Sequence, residues 1–163
     1  PEWGGIYDQI IDLYPGSNSG LAFGKTVLGT RLYFMGIDST GDQLWAYETT
    51  NDSTWRISNF QAEGSGWRRV LHITAVGSRL YFQAYNGDHG LELWVHDTIT
   101  ESTWAVEDIN QFGNSDINQF GNSEPGKNGE MVTIDGRLYF DADDGIYGRE
   151  LWMMEIETSI SYL

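Results

Sequence analysis

Carboxylates are the side chains of this sequence best placed to do chemistry. Asp141, Asp143 and Asp144 crowd together just before Gly145. A calcium loop needs several hard oxygens along a tight turn, commonly Asp-x-Asp-x-Asp-Gly with a later acid. Here the spacing is compressed, and Glu150 is the only acid placed to close the set. Corresponding positions elsewhere supply Asp38 and Asp42, or Asn86 and Asp88. Ca²⁺ is therefore the one candidate cofactor. The competing reading, which is preferred, is a hairpin loop where Asp and Gly serve turn geometry. Glu92 and Glu150 each precede a Leu-Trp pair. Acid pairs hydrolyse glycosides when held about 5–10 Å apart. Acids recurring once per repeat read instead as structural, bonding Arg79 or Arg137 of a neighbouring strand. His72, His89 and His96 share no repeat position and no metal-ligand spacing. No nucleophile elbow, P-loop or dinucleotide fingerprint is present. The chain has no cysteine, which excludes thiol catalysis, disulfides and cysteine zinc sites. No catalytic residue is assigned. Trp3, Trp67, Tyr85 and Tyr147 fall off the shared pattern and are candidate carbohydrate or partner contacts.

The elements that position these residues are repeats. Arg31-Leu32-Tyr33-Phe34, Arg79-Leu80-Tyr81-Phe82 and Arg137-Leu138-Tyr139-Phe140 are one tetrapeptide. Its first two copies lie 48 residues apart and the next two 58 apart. The excess has a visible source: residues 108–115 read DINQFGNS and residues 116–123 read the same. A Leu-Trp pair follows each tetrapeptide, at Leu44-Trp45, Leu93-Trp94 and Leu151-Trp152. A Ser-Thr-Trp follows at Ser53-Thr54-Trp55 and Ser102-Thr103-Trp104, and degenerates to Ile160-Ser161-Tyr162. Landmarks in one register mark an internal repeat.

Each repeat reads as four antiparallel strands. Gly29-Thr30, Gly77-Ser78 and Asp135-Gly136 are two-residue turn signals, type II′ for the first two and type I′ for the last. Strands are predicted before them (25–28, 72–76, 130–134) and after them (31–37, 79–85, 137–142). Third strands carry Leu-Trp (43–48, 91–97, 150–155), and fourth strands follow (54–60, 103–109). Leu-Tyr-Phe is apolar at successive positions, so both faces of its strand are expected to be buried. Four-stranded sheets stacked face to face achieve this, as in a β-propeller. The five recurring Trp residues are then expected between blades, where Trp buries much area.

The fold class expected is all-β: propeller-type blades, about three four-stranded repeats in one domain over residues 1–163. Blade 1 spans about 14–60, blade 2 about 61–109, and the duplicated loop 108–123. Blade 3 spans about 124–163 and is completed by 1–13, because residues 8–13 align with 104–109. Propellers have about 4–8 blades, so three form part of a larger ring or half of a two-chain ring. The abrupt start at Pro1 favours a part of something longer.

The pattern resembles the ELWxxDGT-repeat proteins. Residues 138–152, LYFDADDGIYGRELW, carry it best, and residues 80–94, LYFQAYNGDHGLELW, come next. The first copy has Gln43 where the family has Glu. The Asp-Gly-Thr that names the family is eroded to Glu48-Thr49-Thr50, Asp97-Thr98-Ile99 and Glu155-Ile156-Glu157. The resemblance implies secreted or cell-surface proteins with propeller-like repeats and no established catalysis.

A formal net charge of −15 repels phosphate backbones, so nucleic acid is an unfavourable partner. No apolar run approaches the roughly 18 residues needed to span a bilayer. The function expected is a non-catalytic module for structure and protein–protein interaction at a cell surface or in an extracellular assembly. Its partners are other subunits or the remainder of a longer chain. The alternatives are a lectin that binds glycans and a propeller glycosidase.

Overall fold

The computed structural model describes residues 8–16, 18–60, 70–85, 90–107, 109–110 and 121–156. They form three antiparallel sheets, with no helix among the described residues. Strands β1 (Ala22–Leu28), β2 (Arg31–Asp38), β3 (Gly41–Glu48) and β4 (Ser53–Arg56) make the first sheet. The second holds β5 (Val70–Val76), β6 (Arg79–Tyr85), β7 (Leu91–Asp97) and β8 (Ser102–Glu107). The third holds β9 (Val132–Ile134), β10 (Arg137–Asp143) and β11 (Arg149–Glu155).

Turn chemistry sets the hairpins. Gly29 and Gly77 take φ of 63° and 59°, while Thr30 and Ser78 stay at negative φ. At the third turn both residues are left-handed, Asp135 at 50° and Gly136 at 74°. These are the backbone requirements of II′ and I′ turns, whose twist matches that of the flanking strands.

Register then sorts the side chains. In the first sheet Tyr33 lies opposite Ala46 and Met35 opposite Leu44, on one face. That face packs on Leu80, Phe82 and Ala84 of the second sheet, with Phe60, Val70 and Ile73 filling in. The opposite face of the second sheet bears Tyr81, Leu93 and Val95 and packs on Leu138, Phe140 and Ala142 of the third. Adjacent residues Tyr81 and Phe82 point to opposite sides, yet are only 3% and 0% exposed. The second sheet is thus the middle layer of a stack. The first and second sheets come closest where β1 meets β5.

Several elements differ from the sequence expectation. The fourth strand of the first sheet stops at Arg56, because Ile57 N and Ser58 N both donate to Leu44 O (2.8 and 3.3 Å) and end the regular ladder. Residues 8–13, expected to supply a strand, carry none; Leu13 instead packs on Gly36 and Trp45 of the first sheet. Residues 1–7 and the expected fourth strand of the third repeat, with Ile160-Ser161-Tyr162, lie outside the described residues.

The duplicated segment returns to the stack at both ends. Asn110 Nδ2 donates to Asn122 O (3.4 Å), and Asn122 Oδ1 accepts from Leu91 N (2.8 Å). Removing residues 116–123 leaves the identical Gly-Asn-Ser of 113–115 to make these contacts. The shortened chain should fold and be as stable or more so, by about 1 kcal/mol from the smaller loop-closure entropy. Thermal melting checks this; a midpoint lower by about 5 °C or more would give the second copy a structural role.

Candidate functional site

The amide or acid before the first two Leu-Trp pairs pins the strap that leaves its sheet. Gln43 is buried; its Oε1 accepts from Phe60 N (2.9 Å) and Ser58 Oγ (2.7 Å), and its Nε2 donates to Phe60 O (2.8 Å). Glu92, also buried, accepts from Ile109 N (3.4 Å), Ser123 N (3.0 Å) and Ser123 Oγ (2.5 Å). Each strap then delivers an apolar residue to the following sheet. Phe60 meets the Trp94 ring edge-on at 4.9 Å, and Ile109 joins Trp152 in the second core. Glu150, at the same repeat position, is exposed.

The expected bond from Glu92 or Glu150 to the tetrapeptide Arg is not made as drawn. Arg79 Nε pairs with Asp97 (3.0 Å) and Arg137 with Glu155 (3.3 Å), as Arg31 does with Glu48 (3.3 Å). The register explains this, for Arg79 lies directly opposite Asp97 and two residues add up to one cross-strand pair. Arg31 and Arg79 also stack over Trp55 and Trp104, at 5.2 and 5.9 Å. Hydrogen bonding from Arg79 holds the Asp97 carboxyl below the usual range; bonds from Thr30, then Thr50, bring Glu48 down to about 2. In the first two repeats the acid opposite the Arg is therefore used twice, for the turn amides and for the Arg.

The candidate calcium carboxylates are engaged in their own turns. Asp143 Oδ1 accepts from Gly145 N (2.8 Å), and Asp144 Oδ1 from Ile146 N and Tyr147 N (2.9 and 2.8 Å). Those two amides hold the Asp144 carboxyl low. Asp141 turns to Arg149 (2.8 Å). Asp38 accepts from Thr40 N and Oγ1 (2.7 and 2.6 Å) and from Arg56 (3.1 Å). Asp42 is half-buried at the second position of β3, while Asn86 and Asp88 lie outside the described residues. The sets from the first and third repeats sit on different sheets with the second sheet between them, so they are not brought together. Of the off-pattern aromatics, Trp3 and Trp67 lie outside the described residues and Tyr85 is half-buried. Tyr147 is 78% exposed beside exposed Ile146. The repeat Trp residues are half-buried, except Trp104, which is exposed under Arg79.

A cleft of about 520 Å³ runs along the first strands, lined by Phe23, Lys25, His72, Ile73, Glu130 and Met131 among others. It was not evident from sequence, where His72 reads as an ordinary residue. His72 takes φ of 56° at a bulge in β5, and Gly24 takes 55° at the matching bulge in β1. A Gly at the same position of the first repeat was the available signal, since left-handed backbone suits Gly. Burial lowers the His72 pKa, opposed by Asp141 and Glu130.

His96, unlike half-buried His72, is fully buried. Its Nδ1 bonds Thr103 Oγ1 (2.9 Å), while Nε2 has no hydrogen-bond partner and lies 3.6 Å from Glu101 Oε2. Glu101 also bridges to Arg31 of the first sheet (3.0 Å). Burial lowers the His96 pKa, with Glu101 and Asp97 opposing and Arg31 reinforcing. The fold therefore favours neutral His96. Its contribution is complete above the unfolded value of about 6.5 and is lost as pH falls below it. Urea midpoints at neutral and mildly acid pH should fall for the native chain and fall less for His96→Gln. An equal fall in both would remove His96 from the account.

No protein-family model matches this chain. No curated protein matches it either.

Proposed function

We propose that this chain is a set of β-propeller blades serving as a non-catalytic module for structure and protein–protein interaction, of the ELWxxDGT-repeat kind. The observation that carries this reading is the burial of Tyr81 and Phe82 on opposite faces of the second sheet. A sheet covered on both sides by like sheets is the middle blade of a fan. Closest approach at β1 and β5 supports first strands gathered near an axis. Rigid stacked sheets with polar loops at their ends suit partner binding. A secreted or cell-surface setting rests on the resemblance.

One observation favours a lectin as the second reading: Tyr147 is 78% exposed on the β10–β11 loop. Screening against immobilised glycans and aryl glycosides separates the readings. The module predicts no saturable glycan binding and no turnover. Binding lost in Tyr147→Ala would move the assignment to a lectin, and turnover lost in Glu150→Gln to a glycosidase. Melting across millimolar calcium tests the acidic turns; an unchanged midpoint is expected, and a rise would give them a bound ion.

A further inference from the structure

The outer faces at the two ends of the stack correspond in repeat position to the two sides of its internal junctions. On the third sheet Tyr139 lies opposite Met153 and Val132, and Ile134 opposite Arg137, all on the face turned away from the second sheet. The matching residues of the second sheet, Val76, Tyr81, Leu93 and Val95, form its contact with the third. Those of the first sheet, Leu28, Tyr33, Leu44 and Ala46, form its contact with the second. On the third sheet Leu151 is 76%, Ile134 59%, Val132 52% and Met153 48% exposed.

At the other end a strap lies on the first sheet, and among the described residues no sheet precedes it. Leu13 sits on Gly36 and Trp45, the place that Phe60 takes on Trp94. Ile10 matches Ile57 and Val106, which are packed into the two cores, yet it is 53% exposed. Charge matches as well. Arg31 of the first sheet pairs with Glu101 of the second, and the corresponding residues at the open ends are Arg137 and Asp52.

We propose that the open face of the third sheet receives the first sheet of a second copy of this chain. The junction repeats the internal one: Leu151 and Met153 cover the Leu13 strap, Glu150 accepts the backbone N–H of the second copy's Leu13, and Arg137 meets its Asp52. The contact is heterologous, so two copies close when both junctions form. With three sheets per copy, the closed pair has six, inside the range of about 4–8 blades that propellers use. Ring closure rests on the propeller reading, whereas a single junction needs only the stacked sheets.

Sedimentation equilibrium of the full chain over micromolar to millimolar concentrations tests this. A species of twice the chain mass is expected, strengthened by added salt because each copy carries a charge of −15. Leu151→Asp and Ile10→Asp should each weaken association about 100-fold or more, with unchanged melting of the single chain, because both residues are exposed in it. Mixing the two variants leaves one intact junction and should restore a mixed pair. A native chain that stays monomeric throughout, an Ile10→Asp chain that pairs as well as the native one, or a mixture that never pairs would each overturn the proposal. Pairing by the single junction alone, without a closed ring, would keep this interface and discard the propeller.

Discussion

Phe82→Ala should destabilise the chain by about 3–5 kcal/mol, the largest single-residue effect expected from packing. The ring is fully buried between the first and second sheets and meets Phe60 edge-on at 6.5 Å. Its removal leaves a cavity walled by two β-sheets, each fixed by its own hydrogen-bond ladder, so little relaxation can fill it. The matching truncation on the open face is the control. Leu151→Ala removes a side chain that is 76% exposed, and should change single-chain stability by about 0.5 kcal/mol or less. Chemical denaturation of both variants, at concentrations where the chain is single, checks the contrast. Equal effects would mean the sheets are not stacked in this order.

Glu92→Ala should cost about 3 kcal/mol by a different mechanism. The carboxylate accepts from the buried backbone amide of Ser123, from its Oγ, and from the part-buried amide of Ile109. Alanine leaves those donors with no acceptor at a site closed to water, and an unsatisfied buried donor costs about 1–3 kcal/mol. Glu92→Gln should cost less, since it keeps one acceptor oxygen. The mirror change, Gln43→Glu, should cost about 2 kcal/mol, because it replaces the amide N–H that Phe60 O accepts with a second acceptor. Urea unfolding measures all three. Indifference to Glu92→Ala would show that the strap is not held by this residue.

The local part of this fold was legible in the sequence. β6 and β7 run over the expected residues, 79–85 and 91–97, because a Gly-Ser turn and an unbroken apolar run define both ends of the hairpin strand. Burial of Tyr-Phe on both faces in the first two repeats followed from successive apolar positions, which a sheet with one wet face does not tolerate; in the third, Tyr139 is only half-buried and lies on the face turned away from the second sheet. The non-local part was not legible. Glu92 finds Ser123 across 31 residues, through a duplicated segment whose path nothing in the local pattern specifies. Arg79 takes Asp97 because cross-strand register places them opposite, while a reading by repeat position suggested Glu92. The strand expected over 8–13 rested on alignment to residues 104–109. Among the described residues no strand lies beside this segment to complete a ladder, and it packs through Leu13 instead. The positive φ of His72 was hidden because its side chain gives no sign of it; only Gly24, one repeat earlier, carries that sign.

Like sheets joined through a strap whose apolar residue lands on the next sheet's Trp are the central claim, and a double-mutant cycle tests it most directly. Phe60 and Trp94 meet across the first junction at 4.9 Å. Trp45 holds the same repeat position as Trp94 but faces the other side of the first sheet, against Leu13. Truncating Phe60 with Trp94 should show a coupling of about 0.5–1.5 kcal/mol, and truncating Phe60 with Trp45 a coupling near zero. Coupling of Phe60 to Trp45, with none to Trp94, would contradict the stack.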